Sequence, residues 1–151
     1  MTDDSGFEIC PSREFLWIKY SKINESLQIY EKLGINKIVI YSDTQLSGEY
    51  HLLNFDFSFI PNYITSITLE NGNYNYLDKI LNIPPFITNL NINMIIYKIN
   101  YIDYPFNLKR LIFNRLHLEN SSKLQTILNN IPPSLEYLYL SNITYSLDTS
   151  N

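Results

Sequence analysis

The sequence has no alanine, one valine (Val39), one cysteine (Cys10) and four scattered glycines (Gly6, Gly34, Gly48 and Gly72). A lone cysteine excludes an internal disulfide and fits a reducing compartment. Glycines so far apart form no phosphate-binding loop. Histidine is scarce too: His51 and His117 show no spacing to each other or to Cys10 that suits nucleophilic catalysis. There is no His-x-His or Cys-x-x-Cys pair to ligate a metal, and Asp3-Asp4 reads as a solvated pair. Basic residues are in deficit, 11 Lys and Arg against 15 Asp and Glu, for a net charge of −4. A nucleic-acid binder would need a basic face to displace counterions, so that class is excluded. No apolar run reaches the roughly 18 residues of a membrane span. The opening, "MTDDSGFEIC", carries two aspartates and no apolar stretch, unlike a secretory signal. The expectation is an intracellular, cytoplasmic chain with no cofactor, metal, nucleic-acid or membrane partner, and not an enzyme.

What is present is isoleucine, asparagine, tyrosine and leucine, the residue bias of AT-rich coding. At 45% hydrophobic, 151 residues can bury one sizeable core. The asparagine excess also accounts for three glycosylation sequons, at Asn24, Asn120 and Asn142.

The apolar residues recur. The template apolar-x-x-apolar-x-apolar fits Phe15/Ile18/Tyr20, Ile35/Ile38/Ile40, Ile64/Ile67/Leu69, Ile87/Leu90/Ile92, Leu108/Leu111/Phe113 and Leu135/Leu138/Leu140. Successive starts lie 20, 29, 23, 21 and 27 residues apart, within the leucine-rich-repeat range. Positions 4 and 6 of the template are two apart, so they share the inner face of a short strand. Position 1 enters the core at the bend before it. One unit cannot bury that row alone, but stacked units can. The pattern predicts an α/β leucine-rich-repeat solenoid spanning 15–143, between a tail or cap at 1–14 and a polar tail at 144–151. About six short parallel strands, 16–20, 37–40, 66–69, 89–92, 110–113 and 137–140, would line its concave face in chain order, with 16–20 free to run antiparallel as a cap.

The convex returns are predicted to be short helices or irregular. Leu77, Ile80 and Leu81 share one helical face, as do Leu124, Ile127 and Leu128. Ser122 with Gln125 offers a capping box for the second, and Asn24 an N-cap for a helix stopping at Gly34. Phe55, Phe57 and Phe59 alternate, which predicts an extended return in 41–63, and 98–105 is too short for a helix. Pro84-Pro85 and Pro132-Pro133 would end the helices and turn the chain into the next strand.

"IPPSLEYLYL" (Ile131 to Leu140) resembles the leucine-rich units called FNIP repeats, abundant in social amoebae and in giant viruses of amoebae. "IPPFITNLNI", "IPNYITSITL" and "YPFNLKRLIF" are weaker matches, so the resemblance covers about 60–142. It implies a curved, non-catalytic solenoid that contacts other proteins, in the host cytoplasm if the source is viral. The asparagine of ordinary leucine-rich repeats is replaced by Asp43, Gly72, Ile95, Leu116 and Ile143, so no regular asparagine ladder is expected.

Outward positions supply the candidate site. Position 3 reads Trp17, Lys37, Ser66, Asn89, Arg110, Tyr137, and position 5 reads Lys19, Val39, Thr68, Asn91, Ile112, Tyr139. The ends carry the binding chemistry: Trp17, Lys37 and Val39 at one, Arg110, Ile112, Tyr137 and Tyr139 at the other. Arginine with aromatics is the composition of protein-binding hot spots. Tyr137 and Tyr139 either contact a partner or cover the last strand. The expected function is a non-catalytic interaction module whose concave face and C-terminal edge bind a partner protein. Alternatives are a self-associating structural protein, a homodimer paired through an exposed edge strand, and the substrate-recognition part of a ubiquitin-ligase adaptor. The last needs a second module, because 14 residues ahead of the first unit cannot hold an F-box.

Overall fold

The computed structural model describes residues 7–9, 16–19, 34–42, 51–58, 60–71, 75–93 and 101–145. The chain is a mixed α/β protein built on a parallel-strand sheet. Seven strands form that sheet in the order β1 (Phe7–Ile9), β2 (Leu16–Lys19), β3 (Lys37–Ser42), β5 (Ser66–Asn71), β7 (Asn89–Asn93), β9 (Arg110–Phe113) and β11 (Tyr137–Leu140). From β2 to β11 every pairing is parallel and in chain order, and like template positions stand opposite one another, as in Ile67↔Leu90 and Leu90↔Leu111. The antiparallel strand is β1, which pairs with β2. β2 itself runs parallel to β3.

A repeated turn sets the register. Four segments ahead of a strand begin with a proline whose carbonyl accepts from the N–H three residues on: Ile64 to Pro61, Ile87 to Pro84, Leu108 to Pro105 and Leu135 to Pro132, at 3.0–3.1 Å. In the Pro-Pro segments the second proline holds the next turn position, where its fixed φ suits a β-turn. Past each turn two successive N–H groups share one carbonyl of the previous unit. Thr88 and Asn89 donate to Thr65, Lys109 and Arg110 to Thr88, and Glu136 and Tyr137 to Lys109. Each strand is thereby hung from the one before it.

Between the main strands the chain returns along the opposite side. β4 (His51–Asp56), β6 (Asn75–Leu81) and β8 (Tyr101–Ile102) form a parallel three-stranded sheet, with a bulge at Leu53/Asn54. β10 (Leu116–Leu118) and β12 (Ile143–Tyr145) form a parallel pair. Residues 121–129 form α1 (Ser121–Asn129), the one helix among the described residues, and it is not long and apolar enough to cross a membrane. The core lies between the layers. Ile38, Ile40, Ile67, Leu69, Leu90, Ile92, Leu111 and Phe113 meet Phe57, Ile80, Ile102, Leu116, Leu118 and Ile127. Template positions 4 and 6 are therefore inside for β3 to β9.

The helix expected over Leu77, Ile80 and Leu81 is a strand. β6 has β4 on one side and β8 on the other, so its backbone groups find partners in both directions. The neighbouring returns are extended, and a helix there would leave them unpaired, so tertiary context overrides the local period. The second expected helix forms, but its N-cap is Asn120, not Ser122. The Asn120 side chain accepts from Lys123 N–H at 3.3 Å, and Ser122 Oγ donates to the same oxygen. Gly34 adopts φ +67, a left-handed conformation open to glycine at no steric cost. The helix expected from Asn24, together with Phe15, Tyr20 and Phe59, lies outside the described residues. β12 covers Thr144 and Tyr145, so the expected polar tail begins within a strand. Leu116 and Ile143, which stand where ordinary leucine-rich repeats place asparagine, face each other in the β10–β12 pair.

Candidate protein-binding face

The register that aligns inward residues also aligns outward ones. Tyr137 stands opposite Arg110, and Tyr139 opposite Ile112, on the adjacent strands β11 and β9. The Arg110 guanidinium lies over the Tyr137 ring, 4.2 Å from its centroid, a cation–π contact of about 0.5–1 kcal/mol at an exposed site. Stacking restricts a long side chain that would otherwise sample many rotamers, so part of the ordering cost of binding is met in the free protein. Arg110 is exposed and Ile112 half-buried, while Tyr137 and Tyr139 are 42% and 46% exposed. One step inward the same rows continue as Asn89 and Asn91. Asn114 donates from its amide to Asn91 at 3.0 Å, and Asn89 to Thr88 Oγ1 at 3.3 Å. The strand next to the patch thus carries uncharged amides at Asn89 and Asn91, beside a cationic and aromatic group.

The other candidates stand apart. β5 and β7 separate β3 from β9, so Lys37 and Val39 belong to the far half of the sheet. Lys37 is exposed and Val39 is buried. Trp17 stands opposite Val39 in the backbone register, and its side chain lies outside the described residues.

Residues outside the expected site stand on the same end of the molecule. Leu138, a position-4 residue, is 40% exposed, and Ile143 and Tyr145 of β12 are exposed as well. Their signal was their place on β11 and β12, which end their sheets among the described residues. Phe106 projects from the turn after Pro105. Next to it Asn107 donates to the Pro85 carbonyl at 3.2 Å.

Other polar groups serve the frame. His117 Nδ1 lies 2.7 Å from Thr144 Oγ1, linking β10 to β12. Asp56 Oδ1 accepts from Ser58 N–H and from the Asn82 amide, and Asn82 N–H donates to Asp103. These contacts tie together the ends of β4, β6 and β8, and the Ser58 backbone bond, with the Asn82 amide next, holds the Asp56 carboxyl below its ordinary pKa. The Tyr104 hydroxyl is buried without a partner among the described residues, and burial pushes its pKa above the usual tyrosine range. No group of three or more His, Cys, Asp or Glu converges among the described residues. Against protein-family models, curated protein sequences and solved structures, the chain finds no match.

Proposed function

We propose that the chain is a leucine-rich-repeat solenoid of the FNIP kind, acting in the cytoplasm as a non-catalytic module that binds a partner protein. The chain-order parallel strands, the in-register inward residues and the recurring proline turn support the solenoid reading. The single observation behind the binding role is the Arg110–Tyr137 stack, with Ile112 and Tyr139 beside it on the outward face. A pre-stacked arginine flanked by exposed tyrosines offers buried aromatic area and directed donors together, the two features that dominate protein interfaces. The neutral amides of the adjoining rows repel neither charge sign and would form the surrounding rim.

The test is capture from an amoebal lysate on the immobilised chain, with bound proteins identified by mass spectrometry. Arg110→Ala with Tyr137→Ala should remove the specific partner. Lys123→Ala, on α1, should retain it. A set of bound proteins unaffected by the double change would overturn the reading.

A further inference from the structure

Among the described residues β11 has a strand on one side only, and we propose that its other edge is the seat of a second copy of this chain, paired antiparallel about a twofold axis at Tyr139. The proposal goes beyond the concave-face reading and does not depend on it.

Among the described residues six large apolar side chains are exposed, and five of them, Tyr137, Leu138, Tyr139, Ile143 and Tyr145, lie on β11 and β12. These two strands are the last of their sheets. Exposed edges are ordinarily guarded by a charge, a proline or a bulge. Residues 137–145 contain no charged residue and no proline, and β11 pairs with β9 without a bulge. Glu136, the charged residue that precedes β11 in sequence, is tied to Lys109 at 2.7 Å.

The backbone decides which register a second strand would take. Tyr137 N–H donates to Lys109 at 3.0 Å and Ser141 N–H to Phe113 at 2.9 Å. In a parallel pair alternate residues direct their N–H and C=O to the same neighbour. The odd-numbered residues of β11 therefore face β9, and Leu138 and Leu140 direct theirs to the open side. An antiparallel copy that sets Leu138 opposite its Leu140 takes up all four of these groups on each chain. That register matches faces as well: inward Leu138 meets inward Leu140, outward Tyr139 meets Tyr139, and outward Tyr137 meets Ser141.

A second copy fits better than the alternatives on two counts. Leu138 needs an apolar inward neighbour, which its equivalents Leu90 and Leu111 have and which bury them completely. The copy's own β11 supplies one. The edge carries no charge to select a charged partner strand, and a neutral strand opposite itself meets no repulsion. The paired dimer would also set the two Arg110–Tyr137 patches on one continuous sheet.

Light scattering and sedimentation at micromolar concentration should find a dimer. Leu138→Lys, an inward charge at the edge, should weaken self-association at least about tenfold with the fold retained by circular dichroism. Should that variant fail to fold, cross-linking decides. With Cys10→Ser in place, Tyr139→Cys should give a disulfide-linked dimer on mild oxidation, because the axis sets the two residues opposite at a Cα separation of about 4.5 Å. Tyr137→Cys, opposite Ser141, should not. A wild-type monomer throughout, assemblies that grow past the dimer, or equal cross-linking at 137 and 139 would each overturn the proposal. Arg110→Ala lies off the edge, so loss of a captured partner with the dimer intact would report on the concave face alone.

Discussion

The unit at 87–93 and the unit at 135–140 carry the same pattern, the same proline turn and the same shared-carbonyl bonds to the preceding unit. Their burial differs. Ile87, Leu90 and Ile92 are wholly inside, whereas Leu135 and Leu140 are half-buried and Leu138 is exposed. Among the described residues β7 has strands on both sides and β11 on one. A unit of this kind therefore supplies half of its own core, and its neighbours supply the rest. The returns differ in the same way. The middle returns form a sheet of their own, while the one before β11 folds as α1, the form with internal hydrogen bonds.

The widest gap should appear between equivalent leucines. Leu90→Ala leaves a cavity closed on both sides and should cost about 2–5 kcal/mol. Leu138→Ala removes a side chain already in contact with water and should cost less than about 1 kcal/mol. Urea melts in dilute protein, where self-pairing is dissociated, would measure both. Equal losses would break the comparison and imply that residues beyond those described cover Leu138.

The strand register was legible because each inward position is a large aliphatic or aromatic residue at a fixed distance after a turn, and a slip by one residue would expose the whole row. The outward patch followed from the same count, so Arg110, Ile112, Tyr137 and Tyr139 fell together. Where the local pattern fitted two states, the reading failed. "YLDKIL" satisfies a helical period, and only the extended strands on either side of β6 favour the sheet. Asn120 and Ser122 are both good caps in isolation, and which one lies at the helix start depends on where β10 ends. Nor does spacing reveal that Leu138 and Leu140 turn their backbone groups outward; that required the bonds of Tyr137 and Ser141 to β9.

A middling effect separates the two kinds of return. Asn120→Ala removes the acceptor for Lys123 N–H and should cost about 1 kcal/mol of stability. Ser122→Ala leaves that acceptor in place and should cost less. If Ser122 proved the costlier site, the helix would start as the Ser122–Gln125 spacing alone suggests, and α1 would be two residues shorter.

The smallest effect lies in the middle returns and depends on pH. Asp56 caps the end of β4 with its carboxylate, accepting from Ser58 N–H at 3.0 Å and from the Asn82 amide at 3.2 Å. Its folded pKa is lowered, chiefly by the Ser58 backbone bond, then by Asn82. The unfolded chain therefore binds this proton more readily than the folded one. The contribution to stability is present above the unfolded carboxyl pKa and is lost as pH falls through the lower folded value. The group is exposed, so solvent screens it and the change is slight. The cap of α1, Asn120, has no titrating group. Acidification through the carboxyl range should therefore cost the wild type and Asn120→Ala similar amounts, while Asp56→Asn, which keeps an acceptor oxygen without the charge, should show a shallower loss. Thermal melts across that range would check the ranking, and identical slopes for wild type and Asp56→Asn would show that the β4–β6–β8 junction is held by its backbone pairing and not by this carboxylate.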